Sequence, residues 1–222
     1  MPVIQVADPR AVVPALCANV YASPATRLTT MAVTGTNGKT TTSYLMRAAI
    51  ASRYPKASLC GTVETHVGPI SFEAVRTTAE APVIARILAA TEQYECGAGI
   101  IELSAHALSL HRVDGIVFDV AAFTNLQHDH LDYYGDMENY FQAKALLFTP
   151  EHSRRGVVCV DDEWGRRLAE QATVPVTTVS ALTDEPADWQ VRDVTPDQTI
   201  GRTVFTLVVF DEFINRCLVY PF

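Results

Sequence analysis

The sequence predicts an α/β fold: a mostly parallel sheet with a phosphate-binding loop and helices on both faces. Three observations carry that expectation. Strand-like apolar runs alternate with helix-like stretches through most of the chain. The runs Gly99–Leu103 and Gly115–Phe123 are apolar and β-branched rather than alternating, which suits strands buried on both faces. The segment Thr34-Gly35-Thr36-Asn37-Gly38-Lys39-Thr40-Thr41-Thr42 falls between a strand and a helix, where glycines let backbone N–H groups approach a phosphate.

In chain order, residues 8–21 read as a short helix, joined by Ser23-Pro24 to a strand at Thr29–Thr34. Thr40 to about Arg53 reads as a helix with Leu45, Ala48 and Ala49 on its apolar side. Ala81–Thr91 is a second helix, with Pro82 in the first turn where its missing N–H costs nothing. Asp136 is placed to cap a helix running through Phe148, with Tyr140, Phe141, Ala145, Leu147 and Phe148 on the inner side. A strand at Gly156–Val160, a helix at Trp164–Gln171 and a strand at Pro175–Val179 continue the βαβα rhythm. Residues 182–200 are polar and turn-rich, and Thr203–Phe210 starts a small β extension near the C-terminus.

Composition narrows the function classes. The 222 residues are 48% hydrophobic, enough for a substantial core. A formal charge of -8 argues against non-specific binding of nucleic acid or anionic membranes. No apolar run approaches the roughly 20 residues that span a bilayer. The five cysteines are scattered without a CxxC pair, so the expected compartment is the reducing cytoplasm, without disulfides or a zinc ribbon.

The chemistry concentrates at strand ends. In the loop, Lys39 is placed to reach the β/γ-phosphates of a nucleotide and the Thr40 hydroxyl to ligate Mg²⁺. The strict GxxxxGK[ST] pattern fails at one position, where Val33 replaces its first glycine. Glu102 ends the Gly99–Leu103 run, as either a magnesium ligand or a solvated strand-end acid. His128, Asp129, His130 and Asp132 crowd the next strand end, offering hard-metal ligands, a general base or simply a polar loop. Magnesium suits these ligands better than zinc, since no spaced set of His and Cys stands out. Lys144 lies among apolar neighbours on its helix, and a lone lysine there ordinarily reaches for the surface.

Taken together, GTNGKTTT at 35–42, RTTAEA at 76–81, the long block 101–148 and VDDEWGRRLA at 160–169 resemble the Mur ligases. These ATP-dependent amide ligases build the stem peptide of peptidoglycan, and the likeness is strongest to the branch that adds the third residue. The resemblance implies an acid–amino-acid ligase whose cofactors are ATP and Mg²⁺. Gly35, Thr36, Asn37, Gly38, Lys39, Thr40 and Thr41 would cradle ATP, with Asn125 near the nucleotide. The implied catalytic residues are Lys39, Glu102, His130 and Lys144. Thr40 and Glu102 would hold one Mg²⁺, and His130 with Lys144, carbamylated into an anionic ligand, a second. Thr77, Thr78, Ser104 and Arg112 match positions that contact the UDP-MurNAc dipeptide. Two departures fall in that pocket: Leu110 replaces a family glutamine, and Ala105 replaces the second serine of an SSHAL run.

The same resemblance implies that residues 1–27 are the tail of an N-terminal UDP-sugar-binding domain or a linker. Residues 28–222 would then be a shortened central ATP-binding domain, with no counterpart of the C-terminal domain that binds the amino acid. A partner chain supplying missing domains is one expectation, and a non-catalytic nucleotide-binding module another. A folylpolyglutamate-type ligase shares the GTNGK loop and metal lysine, but the stretch from Ser104 to Arg112 and the run 129–144 favour the muramoyl substrate.

Overall fold

The computed structural model describes residues 3, 5–183, 186–197, 202–209 and 212–219. Helix α1 (Pro9–Val20) and a 3-10 turn lead into β1 (Thr29–Thr34) and α2 (Lys39–Ala49). There follow β2 (Ser58–Cys60), β3 (Glu64–Val67), β4 (Ile70–Glu73), α3 (Ala81–Gln93), β5 (Ala98–Glu102) and α4 (Ala105–Ser109). Next come β6 (Val120–Phe123), α5 (Leu131–Tyr134), α6 (Met137–Ala145), β7 (Gly156–Cys159), α7 (Glu163–Gln171) and β8 (Val176–Ser180). The chain closes with β9 (Trp189–Asp197), β10 (Arg202–Val209) and β11 (Glu212–Val219).

All the strands join one mixed sheet in the order β11-β10-β9-β8-β7-β6-β1-β5-β2-β3-β4. From β2 to β9 through the centre, every neighbouring pair is parallel, while antiparallel hairpins finish both edges. After β1 the chain crosses toward β2, whereas the crossovers from β4 to β5 and from β5 to β6 run the other way. Right-handed crossovers therefore put α2 on one face and the later helices on the other. The reversal leaves a crevice at the carboxyl end of β1, between β5 and β6, where open α/β sheets bind ligands. Register brings the parts level: Val33 pairs with Glu102, and Thr34 with Phe123.

Local sequence explains most helix starts. Asp8, Ser104, Asp136 and Asp162 each accept a backbone N–H of the first turn of α1, α4, α6 and α7. Helix α2 differs: its N-cap is Gly38, at φ +83°, which has no side chain to offer. The first-turn N–H groups therefore stay free of a cap beside the loop.

The structure departs from the expectations at four places. Helix α2 stops at Ala49 rather than Arg53, and Leu45, Ala48 and Ala49 are exposed. Its buried residue is Ser43, because the inward face serves a carboxylate rather than a greasy core. Strand β6 begins at Val120, not Gly115. Gly115 turns at φ +78°, and the Asp119 carboxylate accepts the Thr30 N–H at 2.9 Å just before the ladder starts. Residues 189–197 form a strand despite their polarity, through pairing with both β8 and β10. The hairpin β3–β4, with β2 beside it, fills residues 58–73, to which the sequence analysis assigns nothing. Of the expected strand Thr203–Phe210, Phe210 lies outside the described residues, as does the apolar end 220–222. Cysteines 17, 60, 96 and 159 are free.

The core packs on both sides of β1, β5 and β6. Phe148, fully buried, meets Phe123 edge-on at 6.4 Å between ring centroids and covers the backbone at Gly156. Replacing it by Ala leaves a cavity next to β6 and β7, and a loss of about 3–5 kcal/mol is expected in denaturant unfolding.

Candidate functional site

Two lysines converge on one carbonyl at the mouth of the crevice. Lys39 Nζ donates to Gly35 O and Thr36 O, both at 2.9 Å, so its side chain folds back over the loop. Lys144 Nζ donates to the same Gly35 O at 2.9 Å from α6. Lys144 is only 1% exposed, which corrects the surface role expected of a lone helical lysine. Burial, with the positive charge of Lys39 adding to it, pushes its pKa down to about 7, and Asp129 opposes the shift. Burial also lowers the Lys39 pKa, against the pull of Glu102 and Asp129. Tyr140, one turn before Lys144, holds its ring 4.6 Å from the ammonium.

Glu102 forms the opposite pole. It is fully buried, which removes the solvated-acid reading, and three hydroxyls surround its carboxylate. Thr40 and Thr62 donate to Oε2 at 3.0 and 2.9 Å, and Ser43, whose hydroxyl is shared with Thr40 O at 2.8 Å, lies 3.2 Å from Oε1. No cationic side chain pairs with it among the described residues. A buried carboxylate held by neutral donors alone is costly, and a cation close by would relieve the cost. Among the described residues no group of three or more His, Cys, Asp and Glu gathers as a ready metal cage. A divalent ion fits here with oxygen donors, from Glu102, the Thr40 hydroxyl and ligand phosphates, as magnesium prefers.

Glycines make room for this arrangement. Gly35 has φ +147°, and a Cβ there would fall 1.9 Å from Thr124 Oγ1. At Gly61 a Cβ would fall 2.1 Å from Glu102 Oε1. Gly61, Ser43 and Thr62 were not singled out from the sequence; a glycine-threonine pair after a three-residue strand carries no local signal.

The loop after β6 holds the phosphate loop in shape. Asn37 N donates to Asn125 Oδ1 at 3.0 Å, and Asn125 Nδ2 to Asn37 O at 3.1 Å. Thr36 N donates to Asn125 O, while Gln127 N donates to Thr36 Oγ1, both at 2.9 Å. Asn125 thus braces the loop backbone, and Thr124 adds a bond to Asn37 O at 2.7 Å. Thr41 is exposed in the first turn of α2.

His130 caps α5 in the left-handed region, at φ +53°, with its ring 5.0 Å from His106 and 5.9 Å from Tyr140. Tyr140 neighbours both His130 and Lys144, its ring 5.9 Å from the His130 ring and 4.6 Å from the Lys144 ammonium. His106, Tyr133, Tyr134 and Tyr140 complete an aromatic cluster, of which only Tyr140 was expected to face inward.

The last group lies beyond Glu102. Thr78, 1% exposed, donates to Glu102 O at 2.8 Å and accepts from Ser104 N at 2.9 Å, so its hydroxyl is committed to the fold. Thr77 Oγ1 is 3.2 Å from Thr62 Oγ1. Arg112 donates from Nη1 to Thr78 O at 3.0 Å and pairs through Nη2 with Glu80 at 3.0 Å. Substituting Gly61→Ala should drive the Glu102 carboxylate from its hydroxyls and lower the melting temperature more than Ser43→Ala, which removes one donor. Equal melting temperatures for the two variants would contradict this packing.

Known proteins resemble this chain in both sequence and fold. Residues 33–214 match the model of the Mur ligase middle domain. The chain is 46% identical over 207 residues to a UDP-N-acetylmuramyl-tripeptide synthetase of Leifsonia xyli subsp. xyli, covering 93% of this chain and 40% of that protein. It is 46% identical over 194 residues to a UDP-N-acetylmuramoyl-L-alanyl-D-glutamate--2,6-diaminopimelate ligase of Streptomyces coelicolor, covering 87% of this chain and 38% of that protein. A solved structure of a ligase of the latter name superposes with a TM-score of 0.73 at 30% identity, over 84% of this chain and 38% of that one. The ADP complex of Mycobacterium tuberculosis folylpolyglutamate synthase, at 17% identity and TM-score 0.69 over 90% of this chain and 51% of that one, shares the fold. The chain thus spans about 40% of the length of the curated relatives. With a glycine-rich strand-to-helix loop, a buried strand-end carboxylate and a matching model over most of its length, the chain belongs to the Mur ligase family, as its middle domain.

Proposed function

We propose that this chain is the ATP- and magnesium-binding part of a ligase that adds the third stem-peptide residue to UDP-MurNAc-L-Ala-D-Glu. The observation that carries the reading is the charge pattern at the β1 end. Two lysine ammonium groups share one carbonyl, close to a buried carboxylate that has hydroxyl donors only. That arrangement has places for a polyphosphate and for the cation that accompanies it. The relatives' names supply the substrate class. In this reading residues 1–27 are a linker or the tail of a UDP-sugar-binding domain, and 28–222 the central ATP-binding domain. An amino-acid-binding region and the rest of the UDP-sugar site come from elsewhere in the working enzyme.

The residues divide the labour as follows. Gly35–Thr41 wrap the phosphates with backbone N–H groups, braced by Asn125. Lys39 swings from its loop carbonyls to the transferring γ-phosphoryl group. Thr40 and Glu102 hold one magnesium ion, and His130 with a carbamylated Lys144 a second. Magnesium, when bound, offsets the charge that the phosphates bring into the crevice. The substrate carboxylate takes the γ-phosphoryl group, giving an acyl phosphate and ADP. The incoming amino group then attacks the acyl carbon, a tetrahedral intermediate forms, and phosphate leaves as the amide is made. The protein's contribution is mainly position and charge. Thr77, Ser104 and Arg112 face the muramoyl peptide, with Arg112 offering its guanidinium to an anionic group. The folylpolyglutamate alternative rests on the shared GTNGK loop, the metal lysine and the likeness of fold, none of which speaks for a folate over the muramoyl peptide.

The chain is expected to bind ATP in the presence of Mg²⁺, and Lys39→Ala to weaken that binding about ten-fold or more in calorimetry. Unchanged affinity in the variant would overturn the loop assignment. Carbamylation needs the neutral amine, so a pKa near 7 makes Lys144 reactive where an ordinary lysine is protonated. With ¹³C-bicarbonate, a carbamate signal at Lys144 should grow as pH rises through 7 and vanish in Lys144→Arg. Because the folded-state pKa lies below the ordinary value of 10.5, burying the charged form also costs stability that is recovered as pH rises from about 7.

A further inference from the structure

Arg112 is nearly buried, with its side chain 11% exposed, yet its guanidinium is incompletely matched. Nη1 donates to the backbone of Thr78 and Nη2 meets Glu80 through one oxygen, while Nε is buried without a partner. An arginine facing a carboxylate ordinarily makes two parallel bonds. Glu80 is itself half-exposed and divided, since its Oε1 also accepts from Arg76 Nη1 at 2.6 Å. Its side chain makes no capping bond to α3, although Glu80 is the N-cap residue. The helix therefore does not depend on where that carboxylate points.

We propose that Glu80 is an internal placeholder for a substrate carboxylate. It neutralises Arg112 while the pocket is empty and gives way to an incoming carboxylate, which takes up the unmatched edge of the guanidinium. Arg76 retains the displaced Glu80, so its charge is not left unpaired. The exchange trades a one-oxygen contact for a two-bond contact at Arg112. The inference rests on the reading that Arg112 receives an anionic group of the substrate, and it adds a residue that competes for that position.

The test is a titration of the ¹⁵N-labelled chain with the dipeptide L-alanyl-D-glutamate, without ATP, followed at the Arg112 Nε–H resonance. Glu80→Gln and Glu80→Ala should each bind the dipeptide about two- to five-fold more tightly than the unsubstituted chain, the range of a lost exposed ion pair. Arg76→Ala should bind more weakly, because Glu80 then has Arg112 alone. Arg112→Lys, which lacks that resonance and is followed at the backbone amides of residues 78–80, should bind least. Equal or weaker binding by both Glu80 variants makes Glu80 a support for Arg112 and overturns the placeholder. So does the absence of any dipeptide-dependent shift in Glu80→Ala. If the dipeptide behaves as expected but the chain fails to bind ATP, the ligase reading falls and the placeholder stands. If ATP binds and the dipeptide pattern is absent, the placeholder alone falls.

Discussion

The Gly35 carbonyl is where the structure is most constrained. Two ammonium groups donate to it, from Lys39 in the loop and from Lys144 on α6, more than a hundred residues apart in sequence. Burial takes the Lys144 ammonium out of water and the Lys39 charge adds to the cost, which is why its pKa falls to about 7. Across the crevice, Glu102 meets the complementary difficulty, a buried negative charge among neutral hydroxyls. Neither pole neutralises the other by direct contact. The parallel sheet holds them apart, because Val33 and Glu102 are fixed partners in the ladder and the helices are docked onto it.

Much of the surrounding structure maintains that separation. Gly35 and Gly61 leave the space that a methyl group would take from Thr124 and from the Glu102 carboxylate. Asn125, Thr124 and Gln127 bond the loop backbone from the neighbouring strand, so its shape does not wait for a ligand. Thr78 links the Glu102 carbonyl to Ser104 and, through its own carbonyl, to Arg112. The proposed phosphate side and the proposed peptide side are therefore one hydrogen-bonded system. A preorganised site of this kind spends little on reorganisation when charge is transferred.

The legible parts of the fold were those with strong local signals. Gly99–Leu103 and Pro82 placed β5 and α3 closely, and Asp136 marked the start of α6 because a carboxylate before a helix satisfies a free N–H. The phosphate loop was legible for the same reason, glycines at positions of positive φ. Strands β2 to β4 were not, since three- and four-residue strands on a partly exposed edge show no period. Strand β9 was hidden by its polar composition and by Pro196; its two neighbours supply the pairing that local propensity lacks. Leu45, Ala48 and Ala49 formed an apolar stripe that did not become the buried one, because α2 is oriented by the loop before it and by Ser43.

The sequence by itself determined the α/β class, the glycine-rich strand-to-helix loop and, through its motifs, the family, all of which rest on short spans whose chemistry is local. Tertiary structure alone decided that Lys144 is buried against Gly35, that Ser43 and Thr62 hold Glu102, and that Glu80 occupies Arg112. The physical reason is that burial and charge partnership depend on what lies across the crevice. Those neighbours come from α2, α6 and the segments after β1, β2 and β5 and before α3, and only the assembled sheet with its helices brings them within hydrogen-bonding distance.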